Sequence, residues 1–148
     1  MKRVLAAFLI GVMSMTWLSV GAVAYNDNHN IVVVKDVNGS SKQSLLFIEN
    51  RTATCNSSYF ESQRPVKSIK CVQTLEKKNA YGGYSSVSGA TWTKTVYTKN
   101  LVMENSKSNL ANGTYRLKSV FTATLSNGST ETTTVYSSVQ RSEERRVG

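Results

Sequence analysis

From Gly113 to Val139 the chain reads GTYRLKSVFTATLSNGSTETTTVYSSV. Tyr115, Leu117, Phe121, Ala123 and Leu125 fall on one parity, and Arg116, Lys118, Thr122 and Thr124 fall on the other. That is the period-two pattern of a half-buried β-strand. Asn127-Gly128, flanked by Ser126 and Ser129, predicts a two-residue hairpin loop with both central residues at positive φ. Pairing across such a turn sets Leu125 opposite Thr130 and Phe121 opposite Thr134, so the Thr-rich second arm would form a thin inner layer.

Weaker alternation recurs upstream. NRTATCNSSYF and SIKCVQTLEKK read as two neighbouring strands joined by the polar FESQRPV. With Cys55 facing Cys71, the residues Ile69, Cys71 and Leu75 share an inward face, on which Gln73 has no evident place. SSVSGATWTKTVYT predicts one or two strands around a kink at Gly89, with Ala90, Trp92 and Val96 on one side, and LVMENSK predicts a short strand. IVVVKDV fits an edge strand, and NGSSKQS reads as a linker. No stretch repeats apolar residues at helical spacing over three turns. Six to eight short strands with frequent turn residues predict an all-β fold, an antiparallel sandwich of the immunoglobulin-like or fibronectin-like kind. It should span residues 45–140, preceded by an extension over 25–44. LANGTYRLK resembles a tyrosine corner, which gives Tyr115 a structural role, and the strand period of Trp92 places it in the core rather than on a binding face.

The two ends of the chain change the picture of where it works. Lys2 and Arg3 precede an apolar run, VLAAFLIGVMSMTWLSV, and Ala22-Val23-Ala24 supplies a small-residue cleavage site, so a secretory signal peptide cleaved after Ala24 is expected. No transmembrane span is expected after cleavage, and the protein should be secreted. The terminal RSEERRVG, Arg141 to Gly148, resembles a translated sequencing adapter. Read so, the segment is foreign to the fold and should lie in solvent with few contacts, and the reading frame was cut after Gln140.

The formal charge of +9 falls to +6 once the two cations of the leader and the surplus of one in the tail are set aside. That balance favours anionic partners at long range, although the lysines are scattered rather than in a block. Cys55 and Cys71 both belong to the exported part, where thiols are oxidised, and a bridge between them would stabilise by roughly 3 kcal/mol.

CVQTLEKKN followed by GTYRLKSVFTATLSNGSTETTTVYSS resembles a family of small secreted proteins of Gram-positive gut bacteria, over Thr52 to Val139. The resemblance implies a secreted β-sandwich and implies no activity; the cysteine pair departs from the family pattern.

Catalytic chemistry finds little support. The one histidine, His29, sits in YNDNHN beside the predicted new N-terminus, and with Asp27 it makes a poor metal site. No carboxylate pair, nucleophile motif or phosphate loop is present, so neither catalytic residues nor a metal or other cofactor is expected. Tyr81-Gly82-Gly83-Tyr84 is the candidate binding feature, two aromatics on a glycine loop able to stack on sugars, against the plainer reading that both rings cover an end of the sandwich. The candidate partners are extracellular carbohydrate or an anionic cell-envelope polymer. Nucleic acid is not among them, because no basic stripe is interleaved with aromatics. Five Asn-x-Ser/Thr sequons, at Asn38, Asn50, Asn56, Asn112 and Asn127, follow from a chain rich in these residues.

Overall fold

The computed structural model describes residues 33–35 and 39–143; the expected signal peptide, Asp27, His29 and the tail from Glu144 lie outside the described residues. The described residues form nine β-strands: β1 (Val33–Lys35), β2 (Ser40–Glu49), β3 (Thr52–Glu61), β4 (Val66–Lys78), β5 (Tyr84–Val96), β6 (Asn100–Lys107), β7 (Gly113–Leu125), β8 (Thr130–Tyr136) and β9 (Gln140–Ser142). One antiparallel sheet has the order β1-β2-β3-β6, and the other has β5-β4-β7-β8 with β9 added to β7. The chain changes sheets after β3, after β5 and after β6. These crossings build the antiparallel β-sandwich expected from the strand pattern, with nine described strands where six to eight were expected.

Inward alternation decides which face of each strand meets the other sheet. Tyr115, Leu117, Ser119, Phe121 and Ala123 are buried along β7, and Ile69, Cys71, Gln73 and Leu75 along β4. Two apolar clusters result, one around Leu46, Cys55, Leu75, Tyr115 and Leu117, the other around Tyr59, Ile69, Cys71, Phe121 and Val135. Trp92 packs half-buried against both.

Hydroxyls and an amide run between the clusters. The Gln73 side chain is 0% exposed and its Nε2 donates to Ser57 Oγ at 2.7 Å and to the carbonyls of Cys55 and Met103 at 3.2 Å. Asn105 Nδ2 donates to Gln73 Oε1 at 2.8 Å. Ser57 Oγ lies 2.6 Å from Ser119 Oγ, Ser119 donates to Ser44 Oγ at 2.8 Å, and Ser44 donates to the Leu117 carbonyl at 3.3 Å. Because Ser119 gives its proton to Ser44, Ser57 must give its own to Ser119. The protons therefore point one way across the interior, and this chain is where the unplaced Gln73 belongs.

Several expectations are corrected. The β7–β8 hairpin sets Thr124 opposite Thr130 and Phe121 opposite Thr133, not Thr134. Leu125 N donates to Ser129 O at 2.8 Å across a three-residue loop in which Gly128 alone has positive φ, 87°. Asn127 instead turns its Oδ1 to Ser129 N and Oγ. One extra loop residue shifts the register by one and exchanges the faces of the second arm. Val135 then enters the core at 2% exposure, and burying it contributes roughly 1.5–3 kcal/mol, more than a turn preference supplies.

β3 and β4 do not pair; they lie in opposite sheets. Cys55 sits between Leu46 and Asn105 of its neighbours, and Cys71 between Lys94 and Phe121. The expected disulfide between adjoining strands is absent: the two cysteines lie in opposite sheets and at different levels of the core. Both are free, fully buried thiols, each in a different apolar cluster. Burial pushes the Cys55 thiol up to about 12 and the Cys71 thiol up to about 11, the latter despite a hydrogen bond with Ser57 that works against the rise.

The expected linker is the start of β2. Ser40, Lys42 and Ser44 alternate inward ahead of Leu46, so the sandwich begins before residue 45. Serines and a lysine gave this strand no hydrophobic signature. At the other end, the backbone of Arg141 and Ser142 joins the sheet: with Gln140 they pair with Thr114, Gly113 and Tyr115 of β7. β7 outruns β8 there, and its free backbone groups accept any extended segment regardless of side chains. Ser142 Oγ is buried without a hydrogen-bond partner, while Arg141 stays largely exposed beside Glu143.

Candidate functional site

The two ends of the sandwich treat inward-facing charge in opposite ways. At the β3–β4 crossover, Glu61 is 0% exposed and its carboxylate accepts from Tyr59 Oη, from Gln63 N and Arg64 N, and from the Arg64 guanidinium at 2.8 and 3.1 Å. Arg64 also reaches Glu131 at 2.6 Å, and Lys42 Nζ stands 4.8 Å over the Tyr59 ring. Burial alone would raise the Glu61 carboxyl, but the bonds from Arg64 and Gln63 outweigh it and hold its pKa below the ordinary glutamate value. Burial and the neighbouring Glu61 raise the Tyr59 phenol. This end is closed by opposite charges.

The opposite end is open. A cleft of about 480 Å³ lies between the β4–β5 loop and the β6–β7 loop, with Leu110, Tyr115 and Val87 in its lining and Lys77, Lys78 and Lys107 around them. No carboxylate lines it. Lys77 and Lys107 stand at inward register positions, opposite Tyr115 and Ala53. Among the described residues, none of the three lysines has an ion-pair partner. The Tyr115 phenol donates to the Ala111 carbonyl at 2.6 Å, four residues upstream, which is tyrosine-corner geometry and holds the β6–β7 loop over the core.

Tyr81 rises beside this cleft, directly after its lining residue Ala80, and is 98% exposed. Its loop is locked by Asn79. Asn79 N donates to Gly83 O at 2.8 Å, Gly82 N donates to Asn79 O at 3.1 Å, and Asn79 Oδ1 accepts from Tyr81 N and Gly83 N at 3.0 Å each. Gly82 supplies the positive φ of 87° that the turn requires.

Tyr84 has a different environment. It lies on the outer face of the β5-β4-β7-β8 sheet, where the Arg116 guanidinium is 3.9 Å from its ring centroid and 4.1 Å from that of Tyr136. Arg116 also donates to Glu76 at 2.7 Å. The two tyrosines of the glycine loop therefore part company, one presented to solvent and one stacked on a cation. Trp92 is seated between sheets, and Cys55 and Cys71 are interior thiols.

Sequence reading missed the lysine cluster. Lys77 and Lys78 were visible as a pair, but Lys107 lies 30 residues further along and joins them only because β6 runs back beside β3. No family model matches the chain, and no curated protein matches it. Among solved structures, it is similar to wild-type OgpA from Akkermansia muciniphila, known in two crystal forms. The TM-scores are 0.34 and 0.33 at 12% identity, over 80% and 76% of this chain. The matched part spans about a third of OgpA, 31% and 29% of its chain, and a likeness at this level carries no information about ligand or activity.

Proposed function

We propose that the protein is an exported, non-catalytic β-sandwich that acts by binding an extracellular carbohydrate or envelope polymer at the Tyr81 end. The observation that carries this reading is the Tyr81 tip, a ring almost wholly in water on a loop whose backbone is tied at four points. An exposed ring contributes little to folding, whereas a fixed one spares a partner the entropy of ordering it. Export is supported by the charged, apolar and small-residue order of Lys2 to Ala24. A binding rather than catalytic role is supported by the state of the buried acids: Glu61 and Glu76 are each bound to an arginine.

Glycan arrays and a wall-polysaccharide pull-down with wild type and Tyr81→Ala test the reading. Retention that disappears in Tyr81→Ala at an unchanged melting temperature is expected. No retention by wild type, or retention equal in the variant, refutes it. Tyr84→Ala is a poor substitute, since it would disturb Arg116. A second reading, a basic structural or toxin-like protein acting on anionic membranes or wall polymers, is favoured by the unpaired lysines. Salt separates the two: electrostatic attachment weakens steeply with ionic strength, and stacking does not.

A further inference from the structure

We infer that the cleft holds an acidic group of a polysaccharide, a carboxylate, sulfate or phosphate carried on the glycan, between Lys77, Lys78 and Lys107, while an adjoining sugar ring lies against Tyr81. This rests on the reading of the Tyr81 end as the binding site and adds the chemical class of the ligand.

Three observations support it independently of Tyr81. The first is the contrast of charge. At the closed end and on the outer sheet, Arg64 and Arg116 are each met by a carboxylate, yet the open end gathers three ammonium groups with no acid in the lining. Like charges converging on a concave, partly apolar surface repel one another and focus their field into the recess, which an anion relieves.

The second is how two of the lysines are aimed. Lys77 and Lys107 occupy inward register positions, so their stems rise from the sandwich mouth and not from its outer faces. A glycine clears the path of Lys77: a Cβ on Gly113 would stand 2.6 Å from Lys77 Cε. The third is shape. The volume falls in the range of about 300–1,000 Å³ typical of small-ligand sites, with an apolar floor and a few polar groups above it. A slim chain can lower an acidic group into such a recess, whereas a bilayer surface cannot follow it. Phe47, Phe60 and Val102, exposed apolar side chains able to anchor a membrane contact, are on the outer face of the β1-β2-β3-β6 sheet, away from the cleft mouth.

The test uses the full secreted chain with four probes: dextran sulfate, polygalacturonate, neutral dextran, and vesicles of phosphatidylglycerol in phosphatidylcholine. Wild type should bind both acidic polymers more tightly than dextran or vesicles. Lys77→Met with Lys107→Met should weaken acidic-polymer binding about tenfold or more, the scale of losing charge-assisted hydrogen bonds. Lys67→Met with Lys70→Met removes the same charge from exposed positions at the other end of β4 and should change binding less than about twofold. Lys77→Gln with Lys107→Gln repeats the first test if the methionine pair fails to fold.

Equal losses in the two lysine pairs, or vesicles bound as tightly as the polymers, would overturn the inference. If neutral glycans bind through Tyr81 and the Lys77 and Lys107 variants bind as wild type does, the acidic class is wrong and the binding site stands. If Tyr81→Ala and the lysine variants are all without effect, both fall.

Discussion

Removing the Ser119 hydroxyl should expose how the buried proton chain is coupled. In Ser119→Ala, Ser44 keeps its acceptor at Leu117 O and Ser57 still accepts from Gln73, but the Ser57 proton loses its partner at 2.6 Å and is left with the Cys71 sulfur, a weak acceptor. Ser44, Cys71, Gln73 and Ser119 around it are all 0% exposed, so water cannot take the place of the lost oxygen. An orphaned buried donor costs about 1–3 kcal/mol, against a total stability of roughly 5–15 kcal/mol for a domain. Ser57→Ala removes that donor instead, and Gln73 keeps two carbonyl acceptors, so about 1–2 kcal/mol is expected. In the double variant the orphan no longer exists. Its destabilisation should therefore fall short of the sum of the singles by about 1 kcal/mol or more. Urea unfolding followed by the emission of Trp92, the one tryptophan among the described residues, measures all four proteins at a shared m-value. Additivity within about 0.5 kcal/mol would refute the chain as a coupled unit.

Tyr115→Phe removes the bond to Ala111 O from a buried ring and should lower stability by about 1–2 kcal/mol in the same assay; an unchanged midpoint would deny the corner its structural role. The Glu61 pKa is held down in the folded state, so its contribution is present above the unfolded glutamate value and lost as pH falls through the folded one. Acid unfolding of Glu61→Gln should accordingly be shallower below about pH 4.5 than that of wild type, and parallel acid limbs would contradict this. Cys55 and Cys71 should be inert to a thiol reagent at neutral pH in the folded protein and both react once it is unfolded, with a mass two hydrogens above the disulfide form; rapid native labelling or the lower mass would refute the buried free thiols.

Local pattern alone determined the all-β class, the inward faces of β4 and β7, and the placement of Ala90, Trp92, Val96 and Tyr115. Each follows from side-chain period two or from a short motif within one strand and its loop. The tertiary structure decided whatever depended on which strands meet. β3 and β4 look like a hairpin in the sequence, but sending one to each sheet buries two apolar clusters where a single pair would leave a face in water. That choice separates the cysteines, and it brings Ser57 of one sheet against Gln73 and Ser119 of the other, which satisfies polar groups that hydrophobicity cannot place. The β8 register turned on one loop residue, because a slip of one carries Val135 from solvent to core. Tyr81 was legible as a loop aromatic, whereas the recess beside it was not: Lys77 and Lys107 become neighbours only when β4 and β6 end at the same mouth of the sandwich, and charge spacing along a chain carries no record of that.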